Sequence, residues 1–199
     1  MNNREILLQY AQKQAPVYRQ LALDIHAHPE VSNYEFYACE HLSRQLAAEG
    51  FDVKVDVAGH RTGFTACYKA QKAGPVLVFL AEYDALQGLG HGCGHNLLSI
   101  GGVQAAVALK KLMEEKDIKG TIRLFGTPAE EICVGKPFMA KAGLFEGLDA
   151  VVDWHPAHTN TSGYRDCPAY FNIKYHFKGK AAHGNAPWRG VSALDSAML

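Results

Sequence analysis

The chain has 199 residues, 48% of them apolar, and its twenty Lys and Arg are balanced by twenty Asp and Glu. That length supports one full domain and part of another, and the cancelled charge, with no Lys/Arg run longer than a pair, lacks the basic stripe of a nucleic-acid binder. No apolar run nears the ~20 residues of a membrane span, and MNNREILLQYAQKQ at the amino terminus is an amphipathic helical pattern without a signal-peptide core.

Residues 3–27 carry apolar side chains at helical spacing (Ile6, Leu7, Tyr10, Val17, Leu21, Ile25), and Pro16 is predicted to split them into two helices, because proline is best tolerated in a first turn. Residues 34–48 read as a helix with Gly50 in the place of a C-cap glycine. Phe51, Val53, Val55 and Val57 alternate as a half-buried strand, with residues 63–70 as its partner. The continuous apolar run 75–81 (PVLVFLA) suits a strand buried on both faces. A long helix over 97–116 follows, then short apolar strands over 121–125 and 150–154. This order predicts an α/β sheet with parallel members. After Ala157 the character changes: residues 171–177 alternate as a strand, GKAAHGNAPW forms a loop, and 191–199 begin a helix.

Five scattered cysteines (Cys39, Cys67, Cys93, Cys133, Cys167) form no C-x-x-C pair, which argues against a disulfide framework and for a reducing, cytoplasmic setting.

The run 80–97, LAEYDALQGLGHGCGHNL, concentrates Glu82, Asp84, His91, Cys93 and His95 directly after an apolar strand. Thiolate and imidazole are preferred ligands of zinc and its neighbours. Glycines on both sides of Cys93 allow a tight turn from which Cys93 and His95 bind one metal. The blander alternative is a buried cysteine beside a glycine-rich turn, and His91 need only line the loop. Residues 127–131 (TPAEE) place Glu130 and Glu131 after the next strand. Adjacent carboxylates there suit one metal ligand and one proton carrier, or a helix N-terminus. His155 follows the strand predicted over 150–154. Asp84 suits the outer nitrogen of a ligating imidazole as well as it suits an ordinary turn. All three segments leave the carboxyl ends of strands, where open α/β sheets bind ligands. Together they read as a metal-dependent hydrolase. Competing motifs fail: Cys93 stands where a dinucleotide fingerprint after Gly88-x-Gly90 needs glycine, and no G-x-S-x-G elbow, Walker loop or zinc-deaminase signature is present.

The motifs HAHPE (26–30), AEYDAL (81–86), HGCGHNL (91–97), GTPAEE (126–131), WHP (154–156) and GKAAHGNAPW (179–188) run in one order along the chain. On them the chain resembles the metal-dependent amidohydrolases of the aminoacylase and carboxypeptidase superfamily, in the branch of aminobenzoyl-glutamate, hippurate and auxin-conjugate hydrolases. The resemblance implies a three-layer αβα, zinc-peptidase-like catalytic domain over residues 1–167, and the beginning of an α+β lid and dimerisation domain over 168–199. It implies two divalent ions, zinc or manganese, held by Cys93, His95, Glu131 and His155 with the thiolate bridging. Other branches carry H-x-D where this chain has Glu82-Tyr83-Asp84. Glu130 would be the general base, Asp84 the orienter of a ligating imidazole, and His183 an oxyanion donor reaching a partner's site, hence a homodimer. The implied reaction is hydrolysis of a small amide or dipeptide-like substrate, such as an N-acyl or aminoacyl amino acid, with no nucleic-acid or membrane partner. Relatives are longer and add a further metal-binding histidine near their end, so the second site is expected to be incomplete in these 199 residues. The alternatives are a truncated, non-catalytic metal-binding or interaction remnant, and a module that captures amino-acid conjugates without turnover.

Overall fold

The computed structural model describes residues 1–162, 169 and 173–199. The chain divides into two units, Met1–Arg165 and Asp166–Leu199. In the first, the helix α1 (Asn3–Ala27) precedes α2 (Phe36–Ala48), β1 (Asp52–Val57), β2 (His60–Lys69) and β3 (Val76–Ala81). Then come α3 (His95–Lys116), β4 (Thr121–Gly126), α4 (Gly135–Lys141) and β5 (Ala150–Val152). The strands form one sheet in the order β1-β2-β4-β3-β5. β1, β2 and β4 pair antiparallel, whereas β3 lies parallel between β4 and β5.

Alternate residues of the central strands face opposite layers, as a period of two requires. Ala81 and Leu124 join Tyr18, Ile25, Leu42 and Val103 of α1–α3 on one face. Val78, Leu80 and Phe125 meet Met139 of α4 on the other. The result is the expected three-layer arrangement around a mixed sheet. Gly102 lets α3 close on the sheet, since a Cβ there would stand 2.3 Å from the Leu80 carbonyl oxygen.

Pro16 does not split the first helix: α1 runs unbroken over 25 residues with Pro16 inside it. The proline forfeits one backbone hydrogen bond and crowds the preceding turn. The Gln104 side chain nevertheless ties this part of α1 to α3 by donating to the Ala11 carbonyl at 2.7 Å, and the buried Ile6, Tyr18, Ala22 and Ile25 hold both halves on the core. α2 ends as its sequence predicts: the amides of Gly50 and Phe51 reach back to the carbonyls of Ala47 and Leu46 at 2.9 and 3.1 Å. Val55 departs from the half-buried pattern. It is exposed on β1, an edge strand whose register shifts between Val55 and Val57, which breaks the simple alternation. α3 begins two residues before the expected start, at His95, and β5 stops at Val152 instead of 154.

The second unit carries a 3-10 turn (Pro187–Arg189) and α5 (Ala193–Met198), whose Ser192 cap accepts from the Asp195 amide at 3.1 Å. Residues 173–177 are not a strand, because an alternating sequence becomes one only through a ladder partner. Phe171 and Asn172, the start of that predicted strand, and Cys167, the predicted boundary, lie outside the described residues. No helix among the described residues is long and apolar enough to cross a membrane.

His60, buried at the start of β2, holds Asn33 Oδ1 at 2.9 Å through Nδ1 and packs edge-on to Phe138. Burial lowers its pKa from 6.5. The unfolded chain therefore takes up a proton first, and folding stability should fall as pH drops through 6.5 and level off below the folded value. Urea denaturation of a His60→Gln variant between pH 5 and 8 should show a flatter profile than the parent, on the order of one bound proton less.

Candidate metal centre

The parallel register sets Ala81 of β3 beside Gly126 of β4, and the Thr127 amide donates to the Ala81 carbonyl at 2.8 Å. The segments carrying Glu82–Asp84 and Glu130–Glu131 thus leave the sheet side by side. His155 arrives from β5 on the far side of β3, its neighbour Trp154 tied by an indole N–H to the Leu98 carbonyl at 3.1 Å. Gly94, at φ +80°, makes the left-handed turn that starts α3 and puts His95 in its first position.

These turns bring Cys93, His95 and His155 together, each with a ligand atom within 4.8 Å of the others. Cys93 Sγ lies 3.4 Å from His155 Nε2. His95 is fully buried, and its Nδ1 faces the Asp84 carbonyl oxygen at 2.9 Å and Asp84 Oδ1 at 3.1 Å. Both partners are acceptors, so in the neutral ring that binds a metal the proton belongs on Nδ1 and the lone pair on Nε2. The nearest charged group to His95 Nε2 is the buried Glu82 carboxylate, its Oε2 at 3.2 Å. His95 Nε2 and Glu131 Oε1 are both buried without a hydrogen-bond partner, 3.9 Å apart. Unpaired buried polar atoms are costly and rare, and Zn–N and Zn–O bonds of ~2.0–2.2 Å would span that separation. The residues therefore fit a divalent metal. Of the expected ligands, Cys93, His95 and His155 form one group, and Glu131 approaches it at His95.

Electrostatics agree. Burial pushes the Cys93 thiol up to about 11, aided by the charge of Glu131. Burial opposes a charged His95, but the hydrogen bond to Asp84 and the charges of Asp84, Glu82 and Glu131 raise it overall. For Asp84 burial acts upward, and the hydrogen bonds from His95, the Glu131 amide and Ser32 outweigh it, holding the carboxyl below its ordinary value. The concentration of acids around a thiol and an imidazole is an environment in need of a cation.

The two adjacent glutamates separate by exposure. The side chain of Glu131 is 18% exposed and that of Glu130 33%, and the Glu131 amide is tied to Asp84 Oδ2 at 2.9 Å. Glu131 is the more buried of the two, and Glu130 stands nearer solvent with Oε2 3.8 Å from His95 Nε2. His91 lies outside the Cys93, His95 and His155 group and lines a cleft of about 600 Å³ with His26, Cys93, Leu97 and Pro156. His183 lies in the second unit, exposed, its Nδ1 2.8 Å from Asn185 Oδ1.

The sequence reading missed Lys136 on α4, which pairs with the buried Glu82 and reaches Glu130 Oε1 at 3.9 Å. It also left Glu82 without a role, although Glu82, His95 and Glu130 form a second group of potential ligands that shares His95 with the first. No spacing signal links Glu82 to Lys136, because the contact joins a strand end to a helix in another layer.

A family model described as peptidase family M20/M25/M40 matches residues 43–192. The chain is 38% identical over 200 residues to one of the subunits of p-aminobenzoyl-glutamate hydrolase of Escherichia coli (strain K12), a match covering 92% of this chain and 41% of that protein. It is also 38% identical over 184 residues to Xaa-Arg dipeptidase of Mus musculus, covering 86% and 42%. A dinuclear metal-binding peptidase of the M20 family from Bacillus subtilis superposes with a TM-score of 0.60 at 25% identity, over 72% of this chain and 42% of that one. The chain spans about two-fifths of the length of these curated relatives.

Proposed function

The chain belongs to peptidase family M20/M25/M40, and we propose that it contributes the metal centre of an amidohydrolase that cleaves N-acyl or aminoacyl amino acids. The observation that carries this reading is the convergence of ligand atoms of Cys93, His95 and His155, with the unpaired, buried Glu131 Oε1 3.9 Å from His95 Nε2. The substrate class follows the relatives, which are named for p-aminobenzoyl-glutamate and for Xaa-Arg dipeptides.

In this mechanism Cys93, His95, Glu131 and His155 would hold the divalent metal, zinc or manganese. A bound metal of this kind polarises a carbonyl and lowers the pKa of water from 15.7 to about 7. Glu130 takes the proton of the attacking water on its carboxylate and delivers it to the nitrogen of the leaving amine. Lys136, between Glu82 and Glu130, places a positive charge beside both carboxylates. Asp84 keeps the proton of His95 on Nδ1 and holds the Glu131 amide. His183, in a second copy of the chain, supplies an N–H to the carbonyl oxygen as charge develops there, which makes the working unit a homodimer.

Metal analysis after dialysis against zinc or manganese should find two ions per chain if the chain is a competent enzyme and one if its second site is incomplete, and a protein loaded with both ions should hydrolyse p-aminobenzoyl-glutamate or an Xaa-Arg dipeptide. Two bound ions without turnover of either substrate class would remove the hydrolase reading and leave a metal-binding protein. Absence of bound metal would remove the centre itself.

A further inference from the structure

The stretch between α1 and α2, residues 30–35, touches both site-bearing loops. The Glu30 carbonyl accepts from the Ala85 amide at 2.7 Å, and the Ser32 hydroxyl donates to Asp84 Oδ2 at 2.7 Å. Glu35 is wholly buried and stands at the N-cap of α2, yet it makes no cap bond to its own helix. The Glu30 carboxylate does that instead, accepting from the amides of Tyr37 and Ala38 at 2.9 and 3.0 Å. Glu35 is thereby free to turn inward. Its Oε1 accepts from the amides of Asn33 and Ala129, both at 2.8 Å, and its Oε2 accepts from the Thr62 hydroxyl at 2.7 Å.

Ala129 is the residue before Glu130 and Glu131, and it adopts φ +56°, a left-handed conformation that a residue with a Cβ rarely takes. Such a conformation persists only where its surroundings over-determine it. A buried carboxylate whose every contact is a donor is costly unless those contacts are specific, and here one of them ends on that strained residue's amide.

We infer that Glu35 is a positioning residue: its carboxylate fixes the left-handed turn at Ala129 and through it aims the carboxylates of Glu130 and Glu131. This rests on the proposed metal centre for its consequence, but the contact itself does not require metal. Glu35→Asp withdraws the acceptor by one methylene, whereas Glu35→Gln keeps an oxygen at the place of Oε1, with the amide nitrogen toward the Thr62 hydroxyl.

Two measurements on the full chain test it. In the metal-free protein, hydrogen exchange at the Ala129 amide should rise at least about tenfold in Glu35→Asp and stay within about threefold in Glu35→Gln, with the β3 amides unchanged. Zinc titration against a chromophoric chelator should show about 10- to 100-fold weaker binding in Glu35→Asp, the range for losing an outer support of a ligand, and near-parental binding in Glu35→Gln. Unchanged exchange in both variants, or an equal loss in both, overturns the assignment. If the parent chain binds no zinc, the proposed function fails, and the exchange measurement still decides the role of Glu35.

Discussion

Glu130→Gln is expected to lower kcat for amide hydrolysis by about 10²–10⁴-fold, the range for removing a positioned proton carrier, with bound metal unchanged. Glutamine keeps the shape of the side chain but accepts no proton. The metal content should survive because Glu130 is the more exposed of the two glutamates, while Glu131 carries the unpaired buried oxygen and the amide anchored on Asp84. Steady-state kcat and KM for p-aminobenzoyl-glutamate, measured beside metal analysis of the same samples, separate the possibilities. Equal rates remove Glu130 from the chemistry. Loss of an ion together with activity moves Glu130 into the ligand set, alongside Glu82 and His95, with which it is already grouped in space.

The parts of this arrangement that the sequence discloses are those governed by local rules. Strand β3 is a run of apolar residues, and whatever follows it must emerge at the sheet's carboxyl edge, so Asp84, Cys93 and His95 could be assigned there from order alone. The same holds for Glu131 after β4 and His155 after β5. The proposed division of roles between Glu130 and Glu131 is not local. Resemblance implies it, but only burial and the Asp84 contact supply a physical reason.

Contacts between elements distant along the chain are the ones that pattern cannot reach. Ser32 meets Asp84 across 52 positions and Glu35 meets Ala129 across 94. Glu35 reads in sequence as an ordinary polar residue at a helix start, and nothing in its neighbours signals burial. Pro16 shows the converse error. Its local propensity is real, but the packing of Tyr18, Ala22 and Ile25 against the core outweighs a single lost backbone bond.

Asp84 is where these long-range contacts meet, and its substitution carries the second large effect. Its Oδ1 faces His95 Nδ1 at 3.1 Å, and its Oδ2 accepts from Ser32 Oγ at 2.7 Å and from the Glu131 amide at 2.9 Å. Three donors surround a carboxylate that can only accept. In Asp84→Asn the new NH₂ group must face one of them. Turned toward Glu131 it opposes a fixed backbone N–H, and turned toward His95 it drives the ring proton to Nε2, where the metal needs a lone pair. Metal affinity is therefore expected to fall about 10- to 100-fold. The Asp84 carbonyl, still 2.9 Å from Nδ1, keeps the histidine tautomer partly fixed and favours the lower end of that range. Asp84→Ala goes further, leaving the Glu131 amide without its partner at a cost of about 1–3 kcal/mol, so it should also lower the urea midpoint. Zinc titration and urea denaturation of the two variants distinguish orientation from stability. A weakened site in Asp84→Asn with an unchanged midpoint assigns Asp84 to aiming the ligands, whereas parental zinc affinity in both variants would show that the backbone carbonyl alone orients His95.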